Sequence, residues 1–95
     1  MSGRTPLDAN ISILSALTPR QRQVLALVAN GHTNAQVGRR LDLSSMTINR
    51  HLAEIYRALG AKDRANAVAL ALLHGDLTRE DINTPTPVRA ARRTK

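Results

Sequence analysis

Residues 44–59 read SSMTINRHLAEIYRAL, and the placing of the apolar members decides the fold. Ile48, Leu52, Ile55, Tyr56 and Leu59 recur at steps of four, three, one and three, the stripe of an amphipathic helix and not the alternation of a strand. One side of this helix therefore belongs to a core. The other carries Met46, Arg50 and Arg57, flanked by Thr47, Asn49, Ala53 and Glu54, a mixture of hydrogen-bonding, basic and small residues. Ser44 suits the N-cap, because its hydroxyl accepts from a free N–H of the first turn. Gly60 suits the left-handed stop.

Immediately upstream, Thr33-Asn34-Ala35-Gln36 has the Thr and Gln of a capping box and opens a short helix to about Leu41, with Val37 and Leu41 inward. Gly38 lies inside it, where glycine costs about 1 kcal/mol relative to alanine, a cost that makes sense if another backbone passes close by. Asp42-Leu43 is then a tight link, and a short helix joined by so few residues to a longer one with a polar outer face predicts a helix-turn-helix.

Further out, Leu17 to Gly31 (LTPRQRQVLALVANG) predicts another helix. Thr18 caps it, Pro19 takes the first position, Gln21 can complete a capping box, Gly31 supplies the stop, and Val24, Leu25, Leu27 and Val28 form the apolar face. Arg20 and Arg22 fall in the first turn, where the helix dipole disfavours a cation. Either a phosphate compensates them or they are solvated surface residues.

On the other side, Asp63 to Gly75 (DRANAVALALLHG) predicts a fourth helix with hardly a polar side. A helix apolar all round must be covered all round, and a chain of 95 residues is short of cover. With Val68, Ala71 and Leu72 assigned to the core, Ala69, Leu70 and Leu73 are left for a second copy, or for the chain's own Leu7–Leu14 segment folding back. That segment has Thr5 and Pro6 as a helix start and Leu7, Ile11 and Leu14 at helical spacing, so an additional N-terminal helix is an expectation. At the other end, Leu77 to Ile82 allows one more helical turn. Beyond it, interleaved Pro and Thr followed by Arg89, Arg92, Arg93 and Lys95 predict a disordered basic tail that either attracts phosphates or merely solubilises.

Fourteen Lys and Arg against seven Asp and Glu give a formal charge of +7, a field that attracts polyanions. One Tyr and no Phe or Trp leave little for stacking single-stranded bases, which favours duplex over single-strand recognition. The absence of Cys excludes disulfides, thiolate metal sites and thiol nucleophiles. No apolar run reaches the roughly 20 residues that span a bilayer, and the first sixteen residues do not read as a leader, so a cytoplasmic protein is expected. No carboxylate pair, Ser-His-Asp set or phosphate-cradling glycine loop is found, and His32 and His74 have no neighbours at ligand spacing. The expectation is a non-enzyme without metal or cofactor.

From Leu17 to about Gly75 the chain resembles the LuxR-type, or GerE-type, helix-turn-helix family of bacterial transcription regulators. The resemblance rests on Leu17-Thr18-Pro19-Arg20, Val24-Leu25, Gly31, Asn34, Thr47-Ile48-Asn49-Arg50-His51, Ile55-Tyr56-Arg57 and Leu59-Gly60. It implies an all-α, four-helix domain over residues 17–75, preceded by an extension at 1–16 and followed by a turn and tail at 76–95. The family's fourth helix serves dimerisation, which agrees with the apolar surplus there, and the candidate interface is Asn66, Ala69, Leu70 and Leu73. Three departures stand out. Gln21 replaces the usual glutamate of an ion pair, Asn49 replaces a common lysine, and sixteen residues before Leu17 are too few for the receiver or ligand-binding domain of most relatives, which leads to the expectation of a stand-alone domain.

The expected function is sequence-specific major-groove recognition by the Ser45–Leu59 helix, as a homodimer. By resemblance, Asn49, Arg50 and Ala53 reach base edges. Chemically, Arg50 suits guanine O6 and N7, Asn49 suits adenine or a phosphate, and Ala53 with Met46 suits a thymine methyl. Thr33, Asn34, Ser45, Thr47 and Arg57 are candidates for phosphates, and so is His51, although its place at the edge of the apolar stripe also makes it a structural histidine. The alternative is a protein-binding module of the same fold that acts on another regulator or on RNA polymerase without reading DNA. A promoter-reading sigma-factor domain is disfavoured, because it normally ends at its recognition helix.

Overall fold

The computed structural model describes residues 16–83. The expected Thr5–Leu14 helix and the basic tail from Arg89 lie outside the described residues. Within them the chain forms α1 (Pro19–Ala29), α2 (Asn34–Leu41), α3 (Ser45–Leu59), α4 (Arg64–His74) and a closing 3-10 turn at Arg79–Asp81. Among the described residues there is no strand, so the all-α expectation holds.

Each helix begins where its capping chemistry begins. Thr18 Oγ1 accepts from Gln21 N at 3.1 Å while Gln21 Oε1 accepts from Thr18 N at 3.0 Å, and Thr33 and Gln36 repeat the arrangement at 3.1 and 2.8 Å. These are reciprocal capping boxes, which satisfy two otherwise orphaned N–H groups apiece. Ser44 Oγ accepts from Thr47 N at 3.1 Å, and the Asp63 carboxylate accepts from Asn66 N at 2.8 Å.

α3 is the central strut and packs against α1, α2 and α4. Its Ile48, Leu52, Ile55 and Leu59 are buried with Leu17, Val24, Leu25, Val28 and Val37 in one core, and Tyr56 lies half-buried at the edge. The cover that α4 gives this core differs from the expectation. Ala67 and Ala71, four apart, are fully buried, with Val68 and Leu70 packed beside them, whereas Leu72 is 41 % and Leu73 77 % exposed. Leu70, expected outward, is thus half-buried, and Leu72, expected inward, is out. The reason is steric: the two alanines let α4 approach closely, and the stripe they define takes in Leu70 at i+3 from Ala67 and leaves Leu72 off it.

The core continues past Gly75. Leu77 is 2 % exposed, its N–H donating to the Ala71 carbonyl at 3.1 Å. Asn30, at the end of α1, donates to the carbonyls of Ala26 (2.7 Å) and Asp81 (2.8 Å), tying the closing turn to the first helix. No helix among the described residues is long and apolar enough to cross a membrane.

Candidate nucleic-acid interface

α2 and α3 form the helix-turn-helix, and the turn between them is unusually tight. Asp42 adopts the left-handed conformation (φ 62°), and the Leu43 N–H donates to the Gly38 carbonyl at 2.7 Å. The link lies against Gly38, where an added Cβ would collide with the Leu43 carbonyl oxygen and sit 3.4 Å from its carbon. The backbone approach expected at Gly38 is therefore present, and it fixes the angle at which α3 leaves α2.

With one face of α3 committed to the core, the other stands in solvent. Met46 is 77 % exposed, and Asn49, Arg50, Ala53 and Arg57 are exposed with it. This row brings together all four candidate base-reading residues and one candidate for a phosphate. Ser45 is exposed and Thr47 half-buried at the start of the helix, where the Ser44 hydroxyl donates to Thr47 Oγ1 at 3.0 Å. No acidic residue occupies the first turn of α2 or α3, so both positive helix ends are left unneutralised. Thr33 is exposed just ahead of α2.

Two candidates are placed differently from the rest. His51 is half-buried, and its Nδ1 is enclosed without a hydrogen-bond partner, so only the Nε2 side of the ring is free to meet a phosphate. Asn34 has both halves of its side-chain amide engaged. Its Nδ2 donates to Asn49 Oδ1 at 2.6 Å and its Oδ1 accepts from Arg64 at 2.9 Å, which leaves its backbone N–H in the first turn of α2 for an external anion. A second nitrogen of Arg64 donates to the His32 carbonyl at 2.8 Å, and His32 Nδ1 lies 3.0 Å from the Leu27 carbonyl.

Arg64, which joins this surface through Asn34, is a residue that the sequence leaves unassigned. A signal for it was present: it occupies the first position of α4, where a cation opposes the helix dipole, as Arg20 and Arg22 do in α1. Of that earlier pair, Arg20 is exposed, whereas Arg22 is half-buried with one guanidinium nitrogen 3.4 Å from the Leu17 carbonyl. Arg39 and Arg40 were also unassigned. Both are exposed in the last turn of α2 and, with His32 and Gln36, line an open depression of about 330 Å³.

The departure at Gln21 also has a structural answer. Having spent its oxygen on the capping box, Gln21 uses Nε2 to donate to Glu54 of α3 at 3.3 Å. An amide thus bridges the cap of α1 to α3, at the position where the resemblance implies an ion pair. At the candidate interface on α4, Ala69 and Leu73 are exposed, and Asn66 is half-buried with Oδ1 accepting from Lys62 N at 3.0 Å.

Comparison with known proteins shows the family. Residues 15–71 match the model of the family described as bacterial regulatory proteins, luxR family. YhjB of Escherichia coli strain K12, which bears the name of an HTH-type transcriptional regulator, is 37 % identical over 67 residues, or 70 % of this chain and 34 % of that protein. SgaR of Hyphomicrobium methylovorum, named as a transcriptional regulatory protein, is 47 % identical over 60 % of this chain and 27 % of its own length. The transcriptional activator protein BjaR1 of Bradyrhizobium diazoefficiens is 41 % identical over 61 % of this chain and 24 % of its own. The chain therefore spans about a third or less of these relatives. No solved structure matches it significantly.

Proposed function

Since the chain belongs to the luxR family of bacterial regulatory proteins, we propose that it is a transcription regulator that binds duplex DNA by laying the exposed face of α3 in the major groove. The observation that carries this reading is the division of α3 into two faces. Ile48, Leu52, Ile55 and Leu59 hold one face in the core, so Met46, Asn49, Arg50 and Ala53 are presented rigidly and together. Presentation on a packed helix matters, because base readout depends on hydrogen-bond donors and acceptors held in fixed register.

Roles follow from chemistry. Arg50 donates two parallel bonds to guanine O6 and N7, and Ala53 and Met46 make apolar contact with a thymine methyl. Arg57, the hydroxyls of Ser45, Thr47 and Thr33, His51 Nε2 and the free backbone N–H groups at the start of α2, Asn34 among them, fix the register on phosphates. Arg39 and Arg40 add charge on the helix that crosses the backbone. The formal +7 supplies the attraction common to all sequences.

A homodimer through α4 completes the proposal. Leu72 and Leu73 stand in solvent beside Ala69, an apolar patch on a helix that already contributes Ala67 and Ala71 to the core. A two-fold contact there would set two copies of α3 about one DNA turn, roughly 34 Å, apart on an inverted repeat. The same patch would serve the rival function, a module that docks on another regulator or on RNA polymerase. Size measurement of the chain alone and with duplex separates the two. A dimer that shifts duplex DNA, with affinity falling steeply as salt rises, supports the regulator. A chain without DNA affinity at any salt concentration contradicts it.

A further inference from the structure

The side-chain amide of Asn49 is held by a hydrogen bond from Asn34 whose direction is set from a different helix. Arg64, in the first turn of α4, donates to Asn34 Oδ1 at 2.9 Å, and Asn34 Nδ2 donates to Asn49 Oδ1 at 2.6 Å. A guanidinium carries five N–H donors and no acceptor, whereas an amide can present either end. The atom of Asn34 that faces Arg64 must therefore be its oxygen, and the atom that faces Asn49 its nitrogen. The same logic passes to Asn49: the end that meets Asn34 must be its oxygen, and the end left for the surroundings is its NH2 group. Arg64 is itself pinned by its second bond, 2.8 Å to the His32 carbonyl.

The relay is not explained by local helix chemistry. A cation in the first turn of a helix opposes the macrodipole, so Arg64 pays a penalty that its bonds to Asn34 and His32 offset. Asn34 is half-buried while Asn49 is exposed on the presented face of α3. The order of partners runs from α4 through the first helix of the helix-turn-helix to the face of the second.

We propose that Arg64 is a specificity-determining positioning residue, which acts through Asn34 to present Asn49 as a hydrogen-bond donor and so selects, at the base Asn49 meets, for guanine or thymine. This rests on the reading of α3 as the groove-binding helix. Guanine offers the acceptors O6 and N7 on its major-groove edge and thymine offers O4, whereas cytosine offers only its N4 donor. Adenine is recognised by asparagine through two bonds, one of which needs the amide oxygen to accept from N6. The bond to Asn34 draws that oxygen toward α2 and leaves the NH2 group leading outward, where it can donate to both O6 and N7 of guanine or to O4 of thymine but at adenine meets N7 beside the N6 amino donor. The simple expectation that asparagine pairs with adenine is thereby reversed.

The test uses the full chain and a duplex selected by it from a random pool, with binding measured on that duplex and on its single-base-pair variants. Asn49→Ala identifies the base pair that Asn49 reads, as the one whose preference it abolishes. At that pair the wild type is expected to favour guanine or thymine over cytosine by about tenfold, the worth of one hydrogen bond. Arg64→Met frees the amide to rotate and reduces the preference to about twofold or less, without changing the pair read by Arg50. Asn34→Asp is the sharper variant. Its carboxylate still accepts from Arg64 but can no longer donate, so Asn49 turns its NH2 inward and its oxygen out, and the preference moves to adenine or cytosine.

Thermal melting accompanies each variant, and should Arg64→Met fail to fold, the Asn34→Asp comparison and the wild-type preference still decide. A wild-type preference for adenine or cytosine at the Asn49 pair overturns the relay. So does an unchanged preference in folded Asn34→Asp, or an Asn49→Ala variant that alters no base pair. In each of those results the Arg50 pair is still read, and only the relay fails. A wild type that selects no sequence removes both the relay and the groove-reading function.

Discussion

Gly38 and Leu43 meet so closely that the carbonyl oxygen of Leu43 occupies the space a Cβ on Gly38 would need. The contact is backbone against backbone, and the Leu43 N–H to Gly38 carbonyl bond at 2.7 Å locks the same two residues from the other side. The angle between α2 and α3, and with it the aim of the reading face, depends on a missing methyl group. Gly38→Ala gains up to about 1 kcal/mol of helix propensity. The collision outweighs that gain, because neither backbone can yield without moving a helix.

The net expectation for Gly38→Ala is a loss of about 1 to 3 kcal/mol, the usual cost of overpacking. Thermal denaturation checks it, at roughly 4 to 8 °C of Tm per kcal/mol for a domain of this size. An alanine variant as stable as the wild type would mean that the link is not rigid.

Gln21 and Glu54 make a second prediction. Gln21→Glu keeps a capping acceptor and gains a few tenths of a kcal/mol from the helix dipole, but it loses the 3.3 Å amide donation and sets two carboxylates together. A net destabilisation of about 0.5 to 1 kcal/mol is expected. Adding Glu54→Lys restores an opposite-charge pair and recovers most of it. Urea denaturation of the four chains, treated as a double-mutant cycle, measures the coupling. Additive effects would show that the two side chains are independent.

These contacts also mark what a sequence can and cannot disclose. Thr18 with Gln21, Thr33 with Gln36, Ser44, Asp63 and the stripe through Ile48 and Leu59 are local patterns whose chemistry closes within one or two turns, and the helices follow from them. Gly38 was legible as a close approach, because glycine inside a helix is costly without one. The inward face of α4 was not, since Ala67 to Leu73 contains no polar residue to mark an outer side, and only the alanines' fit against the core sets the direction. Nor was the Arg64–Asn34–Asn49 relay, whose members lie 30 and 15 residues apart and meet only after the helices have packed. The four base-reading candidates were found together because they share one helical face.

The exposed apolar patch of α4 gives a third prediction. Leu73 is 77 % exposed, so Leu73→Glu should change the stability of the folded chain by no more than about 0.5 kcal/mol. It should nevertheless abolish self-association. Sedimentation is expected to give a dimer for the wild type and a monomer for the variant, with the variant's affinity falling more on an inverted repeat than on a single half-site. A wild type that remains monomeric both free and on DNA would contradict the dimer.

Base reading, as proposed, rests on the outer face of α3 with Arg50 in its middle. The most direct measurement compares wild type and Arg50→Ala on the selected duplex and on random duplex of equal length at one salt concentration. The variant is expected to lose about 1 to 3 kcal/mol on the selected site and to relax the preference at one base pair, while binding to random duplex falls far less. Equal affinities of variant and wild type on both duplexes would contradict it.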